Sequence, residues 1–285
     1  MNVNVLSAIG CAALLVGCAT VQKPAYETLI AHRGESVDAP ENTLPAYRTA
    51  VERGFGFECD IYLSKDKRLF TFHDSNLKRT TGGAHTEACT AASWEETVSR
   101  VNVGGWGKWK GSRFDPTRPA LLDEVLTLAR GGRKIYVEVK GNDPAWAPYI
   151  KAVFDRQTNA NPDNVLFITF GDKIAKALKA AMPEYKLYFL MGSRRSWNSM
   201  SASWTADEVL AKLRETGADG IDICFDPRVH DAAFVKTIRD AGYEFHVWTI
   251  DNLEKAERAF AVGAQTVTTN CAKKLLDEYT AKKAK

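Results

Sequence analysis

The feature that most constrains this chain is a regular alternation of short strand-like and longer helix-like stretches. Eight β-type runs recur at 28–33, 57–64, 134–140, 164–170, 185–191, 218–224, 243–250 and 264–270. Helical periodicity falls between them at 43–54, 145–156, 172–182, 205–216, 231–241 and 252–262, with ALLDEVLTLARGG before the third run and a Lys-rich helix at the C-terminus. Such alternation predicts a parallel sheet, because a crossover helix returns each strand to the same end. Eight units in one chain of this length predict a closed (β/α)8 barrel of TIM type, an α/β fold. A doubly wound open sheet is the alternative, but no GxGxxG follows the first run.

Two segments depart from the rhythm. LFTFHD at 69–74 follows the charged turn SKDKR and reads as a returning extension of the second strand. Residues 75–119 then exceed an ordinary loop and carry Gly82-Gly83, Gly104-Gly105, Trp106, Gly107, Trp109, Gly111 and Phe114. They form an insertion after strand 2, either a cap over the barrel mouth or a packed surface excursion.

The N-terminus reads separately. Leu6–Gly17 is an apolar run too short to span a bilayer and suited to a signal-peptide core. It ends in Leu15-Val16-Gly17-Cys18, which resembles a bacterial lipobox, although no Lys or Arg precedes it. The expectation is a signal peptide over 1–17, lipidation at Cys18, a tether over 18–27 and a barrel over 28–285. That resemblance implies a membrane lipid anchor in the cell envelope, with Ala19-Thr20 favouring the periplasmic face of the outer membrane. Removing 1–17 leaves the net charge at +3, which does not point to nucleic acid. Cys59, Cys89, Cys224 and Cys271 are too widely spaced for a zinc knuckle or a CxxC redox motif and are expected to be mostly free, buried thiols. Oligomeric state is not legible.

In a barrel of this type, side chains at the C-terminal strand ends line the active site. His32 and Arg33 end the first strand; Glu58 and Asp60, two apart, share one face of the second. His73 and Asp74 close its extension, Glu138 and Lys140 share a face at the end of the third, and Trp248 ends the seventh. A histidine at a strand end is usually structural, a carboxylate pair is usually solvated, and a lone Trp usually packs. Together they are a different matter. Glu58, Asp60 and Glu138 cannot all stay ionised at close range without a cation, and all-oxygen ligation favours Mg²⁺ or Ca²⁺. Arg33 and Lys140 beside such a cation make an anion site, with phosphate the favoured anion. His32 and His73 supply groups for proton transfer near neutrality. Glu41 is expected to support from the loop after the first strand. His85, His230 and His246 are expected to be structural, and Trp197 and Trp204 to pack in their loop rather than stack on a choline.

The ordered set HRG, ENT, ExD, the HD after a short strand, LKRTTGG, PALLDEVL, VEVK and VWTID resembles the glycerophosphodiester phosphodiesterase family over essentially all of 28–272. The resemblance implies a (β/α)8 barrel that hydrolyses small-molecule glycerophosphodiesters to glycerol 3-phosphate and an alcohol. It implies one divalent cation held by Glu58, Asp60 and Glu138, with His32 and His73 as the acid–base pair. Arg33 and Lys140 would bind phosphate. A lysophospholipase D or sphingomyelinase D-like enzyme and a non-catalytic phosphodiester-binding lipoprotein are the alternatives.

Overall fold

The computed structural model describes residues 24–129, 133–193 and 204–284. The candidate lipidation site Cys18 and Trp197 lie outside the described residues. Among the described residues, nine strands alternate with eight α-helices. Strand β1 is Leu29–Ala31, β2 Gly56–Leu63, β3 Leu69–Thr71, β4 Ile135–Val139, β5 Val165–Thr169, β6 Leu187–Met191, β7 Gly220–Cys224, β8 Glu244–Trp248 and β9 Val267–Thr269. Helices α1 Leu44–Glu52, α2 Leu122–Leu126, α3 Ala147–Asp155, α4 Asp172–Ala181, α5 Ala206–Thr216, α6 Ala232–Asp240, α7 Leu253–Ala261 and α8 Ala272–Lys283 pack outside the sheet. Eight strands are parallel, and pairing of β1 with both β2 and β9 closes them into a barrel. The strands are buried on both faces, as a closed parallel sheet requires, so each reads as a nearly continuous apolar run.

One cluster of side chains fills the bore: Ile30, Tyr136, Leu166, Ile168, Tyr188 and Leu190, with Trp248 packed against it. A polar network plugs the floor beneath it. His246 bonds Thr266 Oγ1 through Nδ1 at 2.7 Å and lies 3.3 Å from Glu244 through Nε2; Tyr188 donates to Glu244 at 2.6 Å. His246 is therefore a buried structural group, as expected from its depth. His230 is likewise structural: buried just before α6, it accepts from the Asp226 amide through Nδ1. His85 lies 3.8 Å from Glu87 in the insertion, away from the cavity. The four described cysteines are free thiols, and Cys59 is fully buried on the face of β2 opposite Glu58 and Asp60.

The one antiparallel strand, β3, has a positional purpose. The short β1 pairs β2 only through Gly56 and Phe57, which leaves the edge of β2 open from Asp60 onward. β3 fills that edge, pairing Thr71 with Ile61 and Leu69 with Leu63. The Phe72 amide then donates to the Asp60 carbonyl at 3.0 Å. The hairpin runs back toward the end of β1, and so brings His73 to the strand end that carries His32.

The 75–119 insertion packs beside this hairpin. It contributes Leu77, Cys89, Trp94, Val98, Val101 and Val103 to the main core, and Trp94 sits 6.2 Å from Phe70. Gly104 is required where it stands, because a Cβ there would meet the Phe114 carbonyl oxygen at 1.9 Å. No residue of the insertion lines the central cavity described below; among the described residues it behaves as a packed excursion. Trp204 likewise packs, its Nε1 donating to the Gly192 carbonyl at 2.9 Å. Among the described residues, no helix is long and apolar enough to cross a membrane.

Candidate active site

At the C-terminal end of the barrel a cavity of about 210 Å³ is lined on one side by His32, Arg33, Glu58, His73, Glu138 and Lys140. The residues that the sequence singles out as chemical converge here, from β1, β2, β4 and the end of the hairpin. Trp248 lines the opposite wall, with Ile168, Phe170 and Leu190.

The turn after β1 is built from strain. Arg33 has φ +57° and Gly34 φ +77°, and a Cβ on Gly34 would meet the Ala46 backbone at 2.6 Å. This bend aims the Arg33 amide at Glu58 Oε2, 2.9 Å away, and lays its guanidinium against Glu41 Oε1 at 2.9 Å and Asp60 Oδ2 at 3.6 Å. Glu41 also accepts from Arg79 at 2.7 and 2.9 Å, so it fixes Arg33 without lining the cavity itself. Glu41 thus contacts Arg33 and Arg79 at the edge of the site.

Glu58, Asp60 and Glu138 are buried, and each offers an oxygen within 4.8 Å of the others. Lys140 Nζ lies 2.7 Å from Glu138 Oε1 and 3.2 Å from Asp60 Oδ1. The charges divide unequally. Burial, then the neighbouring Asp60 and Glu138 charges, pushes the Glu58 carboxyl well above the carboxylate range. Burial, then Asp60, pushes Glu138 up to about 8. Burial acts the same way on Asp60, but Lys140 and Arg33 outweigh it and hold Asp60 low. Among the described residues, Glu58 Oε1 and Arg33 Nε are buried with no hydrogen-bond partner, and Asp60 Oδ1 has only the Lys140 ammonium beside it. Buried polar atoms are normally satisfied, so two unpartnered atoms beside a carboxylate held by a single ammonium fit a site built to take ligands.

The histidines have different settings. His32 Nδ1 lies 2.7 Å from Asn270 Oδ1. Asn270 Nδ2 in turn donates to Asp251 at 2.7 Å, and the Asn270 amide donates to the same carboxylate at 2.8 Å. Because Asp251 accepts from Nδ2, Asn270 can present only its oxygen to His32, which fixes the proton on Nδ1. Nε2 is left unprotonated toward Glu58 Oε2, at 3.9 Å. Burial, then the Arg33 charge, lowers the His32 pKa to about 4. His73 Nδ1 lies 2.9 Å from Asp74 Oδ1, and Asp74 is held by Arg79 at 2.8 Å. Burial lowers the pKa of His73 as well.

Three functional positions are not among the residues expected from sequence. Asn270 and Asp251 orient His32. Asn42 stands under the carboxylates: it donates to Asp60 Oδ2 at 2.6 Å and accepts from the Asp60 amide at 3.1 Å and Tyr47 at 2.8 Å. Its carbonyl accepts from Thr71 at 2.7 Å, tying α1, β2 and β3 to one side chain and its backbone. Asn270 was open to the strand-end rule, since it directly follows β9. Asn42 sits in the same ENT motif as Glu41.

Comparison with known proteins agrees with this geometry. Residues 32–274 match the model of the glycerophosphoryl diester phosphodiesterase family. The chain is 26% identical over 252 residues to a glycerophosphodiester phosphodiesterase of Caldanaerobacter subterraneus, covering 85% of this chain and 93% of that protein. A 120-residue stretch is 39% identical to a probable glycerophosphodiester phosphodiesterase 1 of Mycobacterium tuberculosis, covering 39% of this chain and 42% of that relative. The fold is similar to that of an Oleispira antarctica phosphodiesterase solved with its product sn-glycerol-3-phosphate: TM-score 0.74 and 24% identity, over 89% of this chain and 96% of that one. With its barrel, its carboxylate cluster and a match over most of its length, this chain belongs to the glycerophosphoryl diester phosphodiesterase family.

Proposed function

We propose that the protein hydrolyses glycerophosphodiesters to glycerol 3-phosphate and an alcohol, with a divalent cation, Mg²⁺ or Ca²⁺, and two histidines. The observation that carries this is the unpartnered Glu58 Oε1 and Arg33 Nε, from two residues that line the cavity, with Asp60 Oδ1 buried beside them and held by Lys140. Three buried carboxylates with oxygens within 4.8 Å of one another, one of those residues with an unpartnered oxygen, fit a hard cation. Glu58, Asp60 and Glu138 would hold it, and when bound it would neutralise their charge and polarise a phosphate oxygen.

The remaining steps belong to the chain's own groups. Arg33 and Lys140 bind and orient the phosphate. His32 Nε2 takes the proton from the nucleophile, which is either a water or the glycerol 2-hydroxyl, as the new O–P bond forms. His73, its Nδ1–H held by Asp74, gives a proton from Nε2 to the departing alcohol oxygen as the old P–O bond breaks. His32 is assigned as base because its free nitrogen faces the cavity and burial keeps it neutral. The two must act from opposite sides of phosphorus for in-line displacement. Trp248 packs against the organic part of the substrate.

The test is release of glycerol 3-phosphate from glycerophosphocholine, with and without chelator. We expect chelator-sensitive turnover, cut about 10²- to 10⁴-fold by His32→Ala or His73→Ala. Near-wild-type rates in either variant would sink the assignment. We further propose that Cys18 is lipidated and anchors the enzyme at the periplasmic face of the outer membrane. Loss of membrane association and of fatty-acid labelling in Cys18→Ala checks this.

A further inference from the structure

Asp222, Thr249 and Thr268 line the cavity and have no part in the chemistry above, and Asp222 is the acid among them. Asp222 lies on β7, in register with His246 and one layer beneath the Cys224–Trp248 pair. It is 1% exposed, lines the cavity, and its Oδ1 has no hydrogen-bond partner among the described residues. Its neighbours are all committed elsewhere. His246 bonds Thr266 and Glu244, and Lys140 serves Asp60 and Glu138. Trp248 Nε1 donates to the Asp222 backbone carbonyl at 3.0 Å, not to its carboxyl. Nor does Asp222 belong to the three-carboxylate cluster. A carboxyl buried without a partner is costly, and nothing among the described residues offsets it.

We propose that Asp222 is a specificity-determining residue that binds the terminal hydroxyl of the substrate's glycerol moiety, the one farthest from the phosphate. This rests on the phosphodiesterase reading above. A phosphodiester held at the cation site has two arms. One points to the mouth, where Phe170 is 49% exposed and meets Trp248 edge-on at 5.8 Å. The other points down the bore, which ends on the Tyr136–Tyr188–His246 floor. The short arm fits inward. If the glycerol 2-hydroxyl stays near phosphorus, the terminal hydroxyl extends deeper, to the level of Asp222 in a lining that also holds Ile168, Leu190, Trp248, Thr249 and Thr268. A hydroxyl gives and accepts a hydrogen bond, so it satisfies the carboxyl in either protonation state. A quaternary ammonium has no hydrogen to give it. An acyl chain on that hydroxyl removes the donor and overfills the bore, so the same residue selects deacylated diesters over lysolipids. Sites that hydrogen-bond a substrate hydroxyl reject analogues lacking it strongly, because their own polar group is left unpaired.

The test compares glycerophosphocholine with 2-hydroxypropyl phosphocholine, which keeps the 2-hydroxyl and lacks the terminal one. Cation-loaded wild-type protein is set beside Asp222→Asn and Asp222→Leu. Wild type is expected to favour the first substrate by about 10- to 150-fold in kcat/KM, the range for a hydrogen bond to a charged group. Asp222→Leu is expected to narrow that ratio below threefold, with Asp222→Asn between them. Both variants are expected to raise the melting temperature of the unliganded protein, because they remove an unpaired buried carboxyl. An unchanged ratio in Asp222→Leu would overturn the proposal. So would an equal loss on both substrates with a lower melting temperature or weaker cation binding, which would mark a structural or cation-holding role. If wild type cleaves neither diester, the reaction assignment fails. Asp222 is then judged on binding alone, and equal melting-temperature shifts by glycerol phosphate and 2-hydroxypropyl phosphate in wild type would overturn its role.

Discussion

Asn270→Ala tests the His32 assignment most directly. Asn270 Oδ1 accepts from His32 Nδ1 at 2.7 Å, and Asp251 fixes which way the amide faces. Replacement by Ala leaves a partly buried N–H without its acceptor, at about 1–3 kcal/mol. That bias toward the Nδ1–H form is what keeps Nε2 free to accept a proton. Losing it lowers the productive population, and with it kcat, by about 5- to 150-fold at roughly 1.4 kcal/mol per decade. KM and cation affinity are expected to hold, since Asn270 touches neither the carboxylates nor Arg33 among its hydrogen bonds. The acid limb of the rate profile gives a second reading. Asn270 raises the His32 pKa, against the lowering by burial and Arg33 that brings it to about 4. Its removal therefore moves the limb to lower pH, not higher. Nitrogen-15 shifts of the His32 ring would report the tautomer. A kcat within twofold of wild type, or a ring that keeps its Nδ1–H form in the variant, would refute the reasoning. Asp251→Asn is expected to lose less, because Asn270 keeps its oxygen available but no longer has its orientation imposed.

Two further outcomes follow from the carboxylates and their support. Asn42→Ala strands the Tyr47 hydroxyl and the Asp60 amide in the core, and is expected to cost about 2–6 kcal/mol in denaturant unfolding, at about 1–3 kcal/mol for each unsatisfied group. Glu138, raised to about 8 by burial and by Asp60, holds a proton in the folded cation-free protein that the unfolded chain releases near pH 4.3. Its contribution is present below that pH and is lost as pH rises toward 8. Melting temperature in chelator should fall over this window, less so in Glu138→Gln, and added Mg²⁺ or Ca²⁺ should raise it more at pH 8 than at pH 6.

Much of the site was legible because strand geometry is periodic. Two residues apart on a strand means one face, so Glu58 with Asp60 and Glu138 with Lys140 could be paired before any coordinates. The β2–β4 register then sets Asp60 directly opposite Glu138. The polar residues that orient these groups were harder to find, for a physical reason. Asn42, Asp251 and Asn270 act through hydrogen bonds between segments separated by up to 238 positions, and no spacing rule reports such contacts. The short helix α2 also escaped: a periodic run over thirteen residues gives only Leu122–Leu126 as α-helix among the described residues.

Asp222 is the informative intermediate case. Its alternation with Gly220 and Cys224 on β7 places it inside the barrel from sequence alone, where a carboxylate is anomalous. Four other buried acids feel a nearby cation: Glu35 pairs with Arg53, Asp60 and Glu138 pair with Lys140, and the Arg33 charge acts on Glu58. Their burial is thus partly offset within the chain. Asp222 has no such neighbour, and burial drives its carboxyl well above the ordinary range. Local consistency between sequence and fold breaks down mainly at functional sites, where the missing partner comes from outside the chain. Around this cavity two kinds of partner are missing. The close carboxylates of Glu58, Asp60 and Glu138 call for a cation, while the lone carboxyl of Asp222, set apart from them, calls for a neutral hydrogen-bonding group. A molecule bearing both a phosphate to sit beside that cation and a hydroxyl one short carbon chain away meets both demands at once.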